Sequence, residues 1–167
     1  MQSQLLIYCR RKHRFAFAEI ANTIGTTVKD YKAVEKGEKS LHKEQAEKLA
    51  ELYKISGTIV YCEAMQNHYL ELISRIGKDT LKPPAIRSNL FIYLRQYLHG
   101  LSKKRIAEQT HISEEMYTQI EQGRYDESDL IPLSALNRIF VLFDDVPHRV
   151  FMAEYSQTEF LYQISLL

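Results

Sequence analysis

The amino-acid sequence predicts an all-α protein made of two copies of one helical unit, joined by a long helix and followed by a helical tail. Three observations carry this. Apolar residues recur at helical spacing along nearly the whole chain, and almost nothing alternates in the way a strand does. Serine, threonine and glycine fall where helices need caps and stops. Finally, the string YKAVEKG at 31–37 returns as YTQIEQG at 117–123.

At the fixed offset of 86, EIANTIGTTVKDYKAVEKG (19–37) lies over RIAEQTHISEEMYTQIEQG (105–123). Ile20-Ala21 matches Ile106-Ala107, Thr27 matches Ser113, Tyr31 matches Tyr117, and Val34 matches Ile120. Upstream, Leu6 sits over Ile92 and Phe15 over Leu101. Agreement in apolar positions, the small alanine and the closing glycine argues for an internal duplication.

The elements follow in order. Leu5, Leu6 and Tyr8, interleaved with Ile7, Arg11 and Arg14, give a first helix. Phe17, Ile20, Ala21 and Ile24 give a short second one over 16–23, which Gly25 can end in a left-handed turn. Thr26 or Thr27 caps the third helix, and Gly37 suits the position just past its end. SLHKEQAEKLAELYKI reads as a fourth, with Ser40 as cap. Ile59, Cys62, Met65, Tyr69, Leu72, Ile73 and Ile76 stripe one face of a long helix from Thr58. GKDTLKPP at 77–84 breaks the pattern, because Pro83-Pro84 cannot continue a helix. Ser102 and Ser113 cap the matching helices of the second copy, Asp144-Asp145 reads as a helix-ending turn, and an aromatic-rich helical tail follows Pro147. The divisions are 1–57, a linking helix and linker at 58–84, a second unit at 85–146 and a tail at 147–167.

Composition narrows the function classes. Apolar content of 45% and charged content of 26% suit a globular chain. No apolar run reaches the length of a membrane span, and the start MQSQLLIYCRRKHR is not a signal peptide, so a cytoplasmic location is expected. Cys9 and Cys62 lack metal or redox spacing and read as buried free thiols. The six histidines form no H-E-x-x-H pair, and neither a phosphate loop nor a nucleophile elbow is present. No enzymatic activity, metal or cofactor is expected. Charge is uneven: residues 1–83 hold 14 Lys/Arg against 10 Asp/Glu, residues 84–167 hold 8 against 11. The halves are electrostatically different.

The pattern Ala-x-x-Ile-Gly-x-Thr-x-x-x-Tyr-x-x-Val-Glu-x-Gly at 21–37 resembles the phage-repressor (XRE, Cro-like) helix-turn-helix family, and with the flanking helices the likeness covers about residues 4–57. Residues 90–143 resemble the same family less closely. The resemblance implies two lambda-repressor-like five-helix units, a recognition helix at about 27–35, and a homodimeric transcriptional regulator that binds double-stranded DNA. The residues suit this. Val28, Lys29 and Lys32 lie on the outward face of that helix, and Thr27 stands at its positive end. Lys36, Lys39 and Lys43 continue a basic track, and Arg11 and Arg14 are candidates for the DNA backbone. By the same resemblance, Arg10 pairs structurally with Glu35.

Departures from the family matter too. The slot where a polar residue commonly grips a phosphate holds Phe17, which removes an expected anchor. In the second copy Glu114 and Glu115 open the matching helix, where they complement its dipole but repel phosphate. At the fixed offset Arg10 falls on Gln96, leaving Glu121 without its partner unless Arg95 substitutes. The second unit therefore reads as repurposed for packing, dimerisation or a protein partner, a role the tail can share. The competing reading of the whole chain is an interaction module that kept the fold and lost DNA binding.

Overall fold

The structure, a computed structural model, describes residues 1–77, 81, 84–124 and 131–166. All regular structure among these residues is helical. No helix among them is long and apolar enough to cross a membrane. The chain divides into two compact units, Met1–Ala85 and Ile86–Leu167. Pro83 of the predicted break lies outside the described residues, as does Leu167.

Unit 1 contains α1 (Gln4–Lys12), α2 (Phe17–Ile24), α3 (Val28–Glu35), α4 (Lys43–Tyr53) and α5 (Gly57–Ile76). Side chains near each start explain the boundaries. Ser3 Oγ accepts from the Leu6 N–H at 3.1 Å, and Thr27 Oγ1 accepts from the Asp30 N–H at 3.0 Å. Gly25 closes α2 in the left-handed region, at φ 69°. The fourth helix starts later than predicted. His42, not Ser40, is its cap, because Leu41 is buried just before it and the Gln45 side chain accepts from the His42 N–H.

The core of unit 1 gathers Leu5, Leu6, Cys9, Ile20, Ala21, Tyr31, Val34, Leu49 and Tyr53. Cys9 is buried and outside any disulfide among the described residues, as expected, whereas Cys62, likewise not disulfide-bonded, is half-buried. Helix α5 belongs to this core rather than serving as a connector, and its buried stripe shares only Ile59 and Tyr69 with the predicted one. Ile59, Val60, Glu63, Ala64, Asn67 and Tyr69 are buried, whereas Cys62, Met65, Leu72 and Ile73 are half-buried and Ile76 is exposed. Polar residues lie inward because they serve the ends of other elements. Ser3 Oγ donates to Glu63 Oε1 at 2.6 Å, and His68 Nδ1 lies 3.2 Å from the Gly37 carbonyl oxygen.

Unit 2 contains α6 (Asn89–Tyr93), α7 (Lys103–Thr110), α8 (Glu114–Gln122), α9 (Leu133–Leu142) and α10 (His148–Leu166). Ser102 and Ser113 cap α7 and α8 as predicted. The predicted tail is the fifth helix of this unit. Its Glu154 accepts from Ser88 Oγ at 2.7 Å, just as Glu63 accepts from Ser3, and its Phe151 and Leu161 are buried. Phe160 of the same helix is exposed.

The two units differ by one residue in their first helix. Helix α6 continues directly into a π turn, Leu94–Leu98, in which the His99 N–H reaches the Leu94 carbonyl at 3.0 Å. In unit 1 the His13 N–H reaches the Cys9 carbonyl, one residue closer. The extra residue is absorbed there. Upstream of it the true correspondence is 85 positions, so Ser3 matches Ser88, Leu6 matches Phe91 rather than Ile92, and Arg10 matches Arg95 rather than Gln96.

One core hydroxyl shows the divergence. Tyr31 and Tyr53 share a buried hydrogen bond of 3.0 Å. In unit 2 the place of Tyr53 is taken by Phe143, which packs on His99 as Tyr53 packs on His13. The buried Tyr117 hydroxyl is near Glu121 and Arg95 but in hydrogen-bonding geometry with no group among the described residues. Phe143→Tyr is expected to stabilise the protein by about 1 kcal/mol by giving that hydroxyl a partner. Urea denaturation measures it, and an unchanged or lowered midpoint would show that the new hydroxyl does not reach Tyr117.

Candidate nucleic-acid interface

The candidate surface is built on the start of α3. Thr27, Val28, Lys29 and Lys32 are all exposed there, as the sequence predicts, while Tyr31, Val34 and Glu35 on the opposite side are buried. The helical period separates the two faces. Thr27 also donates its hydroxyl to Asp30 Oδ2 at 2.8 Å while capping the helix, so its side chain is held rather than free.

The basic residues beyond α3 divide into two groups. Lys39 Nζ donates to Asp30 Oδ1 at 2.6 Å, folding back onto α3. That bond, followed by the Thr27 hydroxyl, holds the Asp30 carboxyl below its usual range. Lys39 is thus drawn toward α3 in a pair that is itself solvent-exposed. Lys36 and Lys43 stand 4.0 Å from Glu38 and Glu47 respectively, in solvent-exposed pairs of small energetic weight. Arg11 and Arg14 are exposed at the end of α1 and in the turn that follows it. Arg14 holds a positive φ of 57°, a conformation that Gly100 supplies in the second unit.

Behind the surface, Arg10 grips Glu35 in two bonds, Nε to Oε1 at 2.6 Å and Nη2 to Oε2 at 3.0 Å. The hydrogen bond to Glu35 raises the Arg10 pKa further above its usual value, against the opposing effect of burial. The pair ties the end of α3 to α1 and is the structural ion pair that the resemblance implies. Phe17, the first residue of α2, lies against it. The Arg10 guanidinium carbon sits 4.0 Å from the ring centroid, and Lys32 Nζ sits 4.9 Å from the same centroid. Sequence reasoning places Phe17 in the apolar spacing of α2 and counts it as a missing anchor, and gives no sign of this packing.

The second unit repeats the scaffold with different surface chemistry. Arg95 Nε and Nη2 donate to Glu121 at 2.9 and 3.1 Å. Burial is the largest single effect on Arg95 and opposes its charge, but the hydrogen bond to Glu121, the attraction of that carboxylate and the neighbouring Tyr117 together outweigh it, and the pKa rises. Glu121 therefore does have its arginine. Lys103, in the slot of Phe17, adds a third charge 3.5 Å from Glu121 and is drawn inward. Outside, Glu114, Glu115 and the half-buried Thr118 stand where unit 1 has Val28, Lys29 and Lys32. Comparison with known protein families, with characterised proteins and with solved structures found no match to this chain.

Proposed function

We propose that the chain is a sequence-specific DNA-binding transcriptional regulator of helix-turn-helix type, with unit 1 as its reading unit and α3 in the major groove. The observation that supports this most is the exposed face of Thr27, Val28, Lys29 and Lys32 on a helix whose other face is fixed by the Arg10–Glu35 pair. A helix held from behind, with short polar and cationic groups forward, suits a groove about 12 Å wide lined by phosphates. Arg11, Arg14 and Lys36 flank it for binding to the DNA backbone. One such unit offers few anchoring groups, so a homodimer on paired half-sites is the working form.

Mobility shift across a salt series tests the proposal. Wild type is expected to retard duplex DNA with affinity falling steeply as salt rises. Lys29→Gln with Lys32→Gln is expected to lower the slope of log affinity against log salt by about 2, roughly one for each phosphate that no longer meets a lysine. The charge reversals Lys29→Glu and Lys32→Glu together are expected to abolish retardation. Absence of retardation by wild type even at low salt would end the reading. The second reading, an interaction module without DNA binding, draws its support from Glu114 and Glu115 on the matching face of unit 2.

A further inference from the structure

We infer that Phe17 is a positioning residue for DNA binding, holding Lys32 against its ring so that the lysine supplies the phosphate anchor that a polar residue at position 17 would otherwise make. The inference rests on the proposed reading of unit 1. Four side chains form one connected series: Glu35 binds Arg10, the Arg10 guanidinium lies 4.0 Å from the Phe17 centroid, and Lys32 Nζ lies 4.9 Å from that centroid. Both cations are within the roughly 6 Å over which an aromatic ring attracts positive charge. The ring is itself fixed, half-buried and 6.2 Å from the buried Tyr31 ring.

A free lysine on an exposed helix samples many rotamers, and ordering it on a phosphate costs entropy. Lys32 begins with its ammonium already gathered between the start of α2 and the outer face of α3. The attraction is weak enough to leave the ammonium donors for a phosphate, since a ring face accepts no conventional hydrogen bond from all three. The matching slot in unit 2 shows the alternative to the ring. Lys103 stands there and turns to Glu121 at 3.5 Å, and Thr118 replaces Lys32, so no cation is presented outward at either position.

The test is a coupling measurement on the full chain with duplex DNA selected for binding to wild type. Phe17→Leu is expected to weaken binding about two- to fivefold, Phe17→Tyr to retain it, and Lys32→Gln to remove the dependence on residue 17 altogether. The ε-methylene protons of Lys32 are expected upfield of those of the other lysines in the free protein, and to lose that displacement in Phe17→Leu. This NMR readout on wild type stands even if the leucine variant folds poorly. Equal weakening by Phe17→Leu with and without Lys32, or unshifted Lys32 protons, overturns the inference while leaving DNA binding intact. Failure of wild type to retard any duplex overturns both.

Discussion

Replacing Gly37 or Gly123 with alanine is expected to cost about 2–5 kcal/mol, combining ~1–2 for a left-handed backbone with ~1–3 for intrusion into packed chain. Gly37 holds φ at 75° and Gly123 at 66°. A Cβ on Gly37 would strike the backbone of Met1 and come within 2.9 Å of the Asn67 carbonyl oxygen on α5. A Cβ on Gly123 would come within 2.7 Å of the Thr158 carbonyl carbon and 2.9 Å of the Glu159 nitrogen on α10. Main chain in a helix cannot swing aside as a flexible side chain does. The natural control is Gly25, with φ at 69° and nothing within 4 Å of the added atom, where only the backbone cost applies. Denaturant midpoints for Gly25→Ala, Gly37→Ala and Gly123→Ala separate the two costs. Similar destabilisation at all three would mean that the fifth helices do not pack against the closing glycines.

This crossing explains what the repeated Glu-x-Gly strings do. The glutamate holds the first helix through arginine, and the glycine lets the fifth helix cross. Neither residue faces the candidate DNA surface, so the shared letters report architecture and the surface lies in the letters that differ.

Much of the fold was legible because its causes are local. Apolar period placed the helices, Ser102 and Ser113 capped theirs as predicted, and Thr27 took the cap left open between Thr26 and Thr27. The outward set Thr27, Val28, Lys29 and Lys32 also followed from period alone. What escaped depends on partners distant in sequence. Lys39 looked free because its partner Asp30 lies across a turn. The burial of Glu63 and Glu154 has no local signal, because the serines that satisfy them are 60 and 66 residues away. The long helix and the tail looked like appendages because an amphipathic stripe shows that a helix packs, not what it packs against. Phe17 looked like a loss because a cation on an aromatic ring leaves no sequence signature.

The register of the second unit was misread for a different reason, and it yields the sharpest energetic test. A comparison at fixed offset cannot see one residue absorbed in a π turn, so it set Gln96 against Arg10. In the structure Gln96 is exposed, while Arg95 is buried on Glu121 with Lys103 beside it. Glu121→Ala should therefore destabilise by about 3–5 kcal/mol, because it strands a buried guanidinium without its counter-charge. Gln96→Ala should change stability by less than about 0.5 kcal/mol, as an exposed position without special interactions does. Replacing the pair together, Arg95→Met with Glu121→Leu, should recover most of the stability, since an apolar pair of similar volume removes the stranded charge. Glu35→Ala in unit 1 should cost less than Glu121→Ala. The Arg10 side chain keeps 14% of its surface exposed against 8% for Arg95, so water can solvate part of the guanidinium once the carboxylate is removed. Urea unfolding of the four variants decides it. A large destabilisation from Gln96→Ala, or a small one from Glu121→Ala, would restore the uniform offset and remove the π turn as the reason both units keep the same ion pair.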